Sequence, residues 1–206
     1  IMKKLIFFLL LVFHSYSNDL YFPQDFLWGS ATAEFQNSGA ENLPDCNWAD
    51  WEKCFDENGK SHIADGQVSK KSCDHWHKYK DDIKLMKELN LNAYRFSIDW
   101  SKIEPEEGEF DISAIKHYLD VIKELKKNNI TPLVTLHHFT HPLWFEKKGA
   151  FEKEENIFYF VRFCEYVFKH FSNRVNLWVT FNEPALYAFT SYVLGIFPPG
   201  KKDLMM

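Results

Sequence analysis

The chain has 206 residues, 46% of them hydrophobic and 26% charged, enough to bury one sizeable core in an ordinary soluble domain. A formal charge of −5 and the absence of any long Lys/Arg block leave no basic field for a phosphate backbone, which argues against nucleic-acid binding. Aromatic residues reach 17%; most of the 20 Phe suit a core, while the flat faces and polar tips of the 9 Tyr and 7 Trp also suit stacking on sugars.

At the N-terminus, Lys3 and Lys4 precede an unbroken apolar run from Leu5 to Phe13, and Ser15 and Ser17 offer small residues where a signal peptidase cuts. The run is shorter than the ~20 residues of a membrane-spanning helix. Residues 1–17 therefore read as a cleaved export signal, which implies a periplasmic or secreted protein if the signal functions and a cytoplasmic one otherwise, with residues 18–206 as the working chain. In an oxidising compartment Cys46, Cys54 and Cys73 lie close enough for one bridge among them, whereas Cys164 falls on an apolar helix face and reads as packing.

Asp25 to Gly29 reads as a short buried strand, and the polar stretch 37–73 as one long loop. Trp76, Tyr79, Ile83, Met86 and Leu89 then recur at helical spacing, with Asp74 a plausible cap. Leu91 to Ile98 follows as a strand. A second helix carries Ile115, Tyr118, Leu119, Ile122 and Leu125 behind an Asp111 N-cap. Ile130 to His138 is the next strand, with Pro132 near its start. A third helix holds Ile157, Phe160, Val161, Cys164, Val167, Phe168 and Phe171, and Val175 to Asn182 closes the series as a strand.

Strict alternation of strand and helix implies a parallel sheet with helices packed outside it. A doubly wound sheet and a (β/α)8 barrel both satisfy that order. No Gly-rich phosphate fingerprint follows the first strand, and Arg95, His138, Asn182 and Glu183 gather at C-terminal strand ends, where a barrel places its chemistry. A whole barrel takes about 250 residues. Four strands make half of one, so the chain reads as the first four β/α units of a TIM barrel, stopping mid-fold.

Four stretches resemble glycoside hydrolase family 1, the β-glucosidase and β-galactosidase group. They are FLWGSATAEFQNSGA (26–40), NAYRFSIDWSKIEPEEGEFD (92–111), TPLVTLHHFTHPLW (131–144) and WVTFNEP (178–184), in the family's order and spacing. The resemblance implies a retaining β-glycosidase acting on β-linked oligosaccharides or aryl and alkyl β-glycosides. Glu183 would be the general acid/base, Asn182 would bind the sugar 2-hydroxyl, and Gln36 and His138 would bind hydroxyls of the non-reducing sugar. Arg95 would support the nucleophile by keeping a carboxylate ionised. Without the resemblance, the same residues read as a solvated loop carboxylate, a loop amide and a strand-end histidine. Pro184 biases Glu183 toward extended backbone, and partial burial would raise its pKa for acid work. Trp144 and Trp178 match family positions but read as packing.

Some positions depart from the pattern. Ser38 stands where relatives commonly carry Glu, Glu34 where a small residue is usual, and Phe139 where Trp usually follows the sugar-binding His. The family's nucleophile motif resembles Thr-Glu-Asn-Gly on a later strand. Glu57, Asn58 and Gly59 imitate it, but within a polar loop where Asn-Gly marks a turn. His137, His138 and His141 imitate a zinc motif, yet on an extended segment they would alternate faces. Two-carboxylate chemistry calls for no metal or cofactor. With the nucleophile missing, the alternative is an inactive fragment or a sugar-binding pseudoenzyme.

Overall fold

The computed structural model describes residues 21–42 and 45–203, so the expected export signal at 1–17 lies outside the described residues. Four parallel strands form one sheet in the order β1-β2-β3-β4: β1 (Gly29–Ala31), β2 (Ala93–Ser97), β3 (Thr131–His137) and β4 (Leu177–Phe181). Between them run α1 (Glu34–Ser38), α2 (Asn47–Trp51), α3 (His75–Glu88), α4 (Trp100–Ile103), α5 (Ile112–Lys127), α6 (Leu143–Lys147) and α7 (Ile157–Phe171), and α8 (Pro184–Ala188) follows β4. Strand, crossover and neighbouring parallel strand repeat three times, the arrangement expected of consecutive β/α units of a barrel.

The first strand lies later than its apolar sequence suggests. Phe26, Leu27 and Trp28 precede β1 and are exposed, whereas Gly29 pairs with Ala93 and Ala31 with Arg95. Close strand approach decides this: a Cβ on Gly29 would sit 2.6 Å from the Ala93 carbonyl oxygen. The stretch 37–73 is not one open loop either, since it contains α2, short 3-10 turns and the buried residues Asn47, Ala49 and Trp51.

Ile83 and Met86 of α3, Ile115, Tyr118, Val121, Ile122 and Leu125 of α5, and Phe163, Val167 and Phe171 of α7 pack against Tyr94, Phe96, Val134 and Leu136 of the central strands. These helices follow the expected apolar stripes because each lays one face on the sheet. The exceptions are Leu89, which sits at the C-cap of α3, and Ile157, Val161 and Phe168 of α7; all four are exposed. Asp111 caps α5 as expected, its carboxylate accepting from the Ser113 N–H at 2.7 Å. Asp74 does not cap α3. Its backbone is left-handed, at φ 58°, and its carboxylate instead accepts from Asn42 Nδ2 at 3.0 Å and meets His77 Nδ1 at 2.7 Å. Cys164 packs against the core as expected. All four cysteines are free, so no bridge joins Cys46, Cys54 and Cys73.

Candidate active site

Parallel strands bring their C-terminal ends to one rim, and ladder hydrogen bonds continue past the strands. The Asn182 N–H donates to the His137 carbonyl at 2.9 Å, and the Ile98 N–H to the Thr135 carbonyl at 3.0 Å. Arg95 lies in the middle of β2, not at its end as expected, and its long side chain reaches across two strands toward this rim. Its Nε donates to Thr135 Oγ1 at 2.9 Å and its Nη2 to Asn182 Oδ1 at 2.6 Å. A guanidinium only donates, so the buried Asn182 must present its amide oxygen to Arg95, which aims the amide NH2 elsewhere.

Glu183 adjoins Asn182, but its surroundings differ from the sequence expectation. Its backbone is left-handed rather than extended, at φ 43° and ψ 59°, and its side chain is exposed. Proline disfavours right-handed helix in the residue before it, and a left-handed residue turns the chain sharply enough for Pro184 to open α8 at its first helical position. The Tyr187 N–H donates to the Glu183 carbonyl at 2.9 Å and fastens that turn. Holding a non-glycine residue there costs about 1–3 kcal/mol, a strain that concentrates at functional sites. Partial burial of the carboxylate is absent because β4, its strand, is an edge of the sheet.

Gln36 and His138 share a cavity of 340 Å³, together with Trp48, Glu52, Phe139 and Phe197. Gln36 is carried by α1, and its carbonyl accepts from Ser72 Oγ. His138 is half-buried, and its Nδ1 is buried without a partner. Burial, with a smaller contribution from the Arg95 charge, lowers its pKa to about 4, so the ring is neutral at pH 7 and offers one donor and one acceptor. Glu52 is the one charged residue of this lining, and it is occupied by the Ser69 N–H at 2.9 Å and Oγ at 3.2 Å. A larger concavity of 790 Å³, between residues 51–64 and 194–202, contains none of the strand-end residues.

Trp48 and Phe197 escaped the sequence reading. A Trp pair three apart in NWADW was the available signal for a helical turn, but one turn is too short for periodicity to stand out. The histidines do not lie on one extended segment, since β3 ends at His137. His137 Nε2 lies 3.2 Å from His141 Nδ1, and His141 Nε2 lies 2.7 Å from Glu146 Oε2, because the chain reverses at Phe139, φ 67°, and folds His141 back. Their ring nitrogens face one another, and no group of three or more metal-binding side chains converges among the described residues. Glu57, Asn58 and Gly59 form a turn, with Asp56 Oδ1 accepting from the N–H groups of Asn58 and Lys60. Trp144 and Trp178 pack against the core, their indole N–H groups donating to the carbonyls of Glu104 and Val175 at 3.1 Å each.

The sequence profile of Glycosyl hydrolase family 1 matches residues 18–206. The chain belongs to that family. Among family 1 relatives, β-glucosidase A of Acetivibrio thermocellus is 39% identical over 184 residues, covering 89% of this chain and 41% of the relative. A 6-phospho-β-galactosidase of Clostridium acetobutylicum is 38% identical, covering 88% and 37%. The solved β-glucosidase of Thermotoga maritima in complex with deoxynojirimycin superposes with a TM-score of 0.82 at 32% identity, covering 88% of this chain and 42% of that one. The chain thus spans about two fifths of the length of the family 1 relatives it matches.

Proposed function

We propose that this chain carries the acid/base half of a retaining β-glycosidase acting on neutral β-glucosides or β-galactosides. Glu183, protonated, donates to the glycosidic oxygen as the bond to the anomeric carbon breaks. A carboxylate from a later strand, about 5–5.5 Å away, attacks that carbon to form a glycosyl-enzyme. Glu183, now ionised, then takes a proton from the water that releases the sugar. Asn182 donates its amide NH2 to the 2-hydroxyl, and Gln36 and His138 bind hydroxyls at the non-reducing end. Arg95 keeps the incoming carboxylate ionised.

The observation that carries this reading is the Arg95–Asn182 hydrogen bond, which orients an amide beside Glu183 on the rim of parallel strands. A neutral sugar is favoured over a phosphorylated one because the Gln36 and His138 cavity is lined by one carboxylate and no cation. A binding-only role for the chain by itself is the second reading. Glu52, the carboxylate in that cavity, is held by the Ser69 N–H and hydroxyl, and no second carboxylate lines the cavity to pair with it.

The test joins this chain to the C-terminal remainder of the A. thermocellus β-glucosidase and measures release of p-nitrophenol from an aryl β-glucoside. Turnover is expected from the fusion and not from the chain alone. Glu183→Gln should abolish it; turnover that survives that substitution sinks the acid/base role. A fusion that binds deoxynojirimycin yet never turns over favours the binding-only reading.

A further inference from the structure

Asn47 is only 2% exposed and lies outside the lining of the Gln36 and His138 cavity, yet it is tied to the backbone beside it. Its Nδ2 donates to the Phe139 carbonyl at 3.0 Å, and its Oδ1 accepts from the His141 N–H at 3.1 Å. Its own backbone N–H donates to the His141 carbonyl, also at 3.1 Å. An antiparallel bridge between Cys46 and Pro142 and a Leu143 N–H to Asp45 carbonyl bond extend the tie on either side. Directly before the bonded groups the chain passes through Phe139 at φ 67°, a conformation L residues rarely adopt. Such a turn persists only when its surroundings over-determine it. One side chain here holds the exit of the turn, at the Phe139 carbonyl and the His141 N–H, and the residue entering it is His138.

We infer that Asn47 is a positioning residue for His138, acting through the Phe139 turn to fix the direction in which the imidazole enters the sugar cavity. This rests on the sugar-binding reading of that cavity. Asparagine is suited to the task because one side chain must both donate and accept. Aspartate keeps the acceptor for the His141 N–H but sets a carboxylate oxygen against the Phe139 carbonyl. Alanine removes both bonds and leaves two buried backbone groups without partners.

The test is an NMR titration of the histidine rings in the 206-residue chain, wild type against Asn47→Asp and Asn47→Ala. His117 serves as internal control. It is stacked on Trp76 at 3.6 Å, and burial likewise lowers its pKa to about 4. A released turn lets His138 reach solvent. Its titration should then rise from about 4 toward 6.5, at least a tenfold gain in proton affinity, with His117 unmoved. Deoxynojirimycin affinity, measured by calorimetry, should fall at least tenfold. Should Asn47→Ala not fold, Asn47→Asp carries the test. An unmoved His138 in a folded variant, or equal movement of His138 and His117, overturns the positioning role. A wild-type chain that does not bind deoxynojirimycin counts against the sugar reading, while the titration still decides the role of Asn47.

Discussion

Replacing Glu34 with Gln should stabilise the chain at alkaline pH, an unusual expectation for removing a buried carboxylate. Glu34 is 6% exposed; Ser38 Oγ donates to its Oε1 at 2.7 Å, and its backbone N–H donates to Ser97 Oγ at 2.8 Å. Burial raises its pKa from 4.5 to about 7, Lys102 lowers it less, and Asp99 adds to the rise. A carboxyl with a raised pKa holds its proton more tightly folded than unfolded. Stability therefore falls as pH rises from 4.5 through about 7 and stays lowered above that. At about 1.4 kcal/mol per tenfold in proton affinity, the full loss is about 3 kcal/mol. Glutamine is neutral throughout and still accepts from Ser38. Lys102, itself buried, loses a partner, which trims the expected gain to about 1–3 kcal/mol. Urea unfolding followed by Trp fluorescence at about pH 8.5 and about pH 5 should show the variant ahead at the first and near parity at the second. A variant less stable than wild type at about pH 8.5 would refute the reasoning, because Glu34 would then be a net stabilising anion.

Arg95→Met should remove two hydrogen bonds and one charge near His138, lowering deoxynojirimycin affinity at least tenfold and moving the His138 titration upward from about 4. Since the folded pKa of His138 lies below its ordinary 6.5, wild-type stability should rise between pH 4 and 6.5, and this window should narrow in the variant; an unchanged titration by NMR contradicts the charge effect. Arg162→Ala should destabilise by about 3–5 kcal/mol in urea unfolding, because it strands the fully buried Glu104 carboxylate that Arg162 pairs with. A loss under 1 kcal/mol would mean that the Trp100 indole at 2.9 Å and the Gly108 N–H at 2.8 Å satisfy Glu104 unaided. Finally, among the described residues β1 and β4 are open edges, and Phe22, Phe26 and Trp28 form an exposed aromatic cluster with ring centroids 4.6 Å apart. Sedimentation should therefore show concentration-dependent self-association, and a monomer at every concentration contradicts it.

The long amphipathic helices and central strands were legible because each repeats one burial pattern over many residues, as Ile115 to Leu125 does on α5. Residues of the rim were legible through motifs, but their geometry was not. Proline after Glu183 argued against right-handed helix and left open the left-handed turn that the chain adopts. The extended segment expected through His141 fails because one positive φ at Phe139 resets the direction of the chain and brings His141 back to His137. The burial of Asn47 and Glu34 was missed for a shared reason. Each sits in a single helical turn, where its burial is decided by residues 63 to 94 positions away and not by any local pattern.

The tie between Asn47 and the Phe139 turn also sets an order of events. Residues 45–47 leave the ribosome about ninety residues before the backbone groups they bind. Until then the segment has Phe35 of α1 to pack on but not the Phe139 turn, and α3, β2, α5 and β3 have time to assemble first. The cavity wall therefore closes only once β3 has been made, over a scaffold that still lacks α7 and β4. A slow step there would delay ligand binding without delaying the sheet.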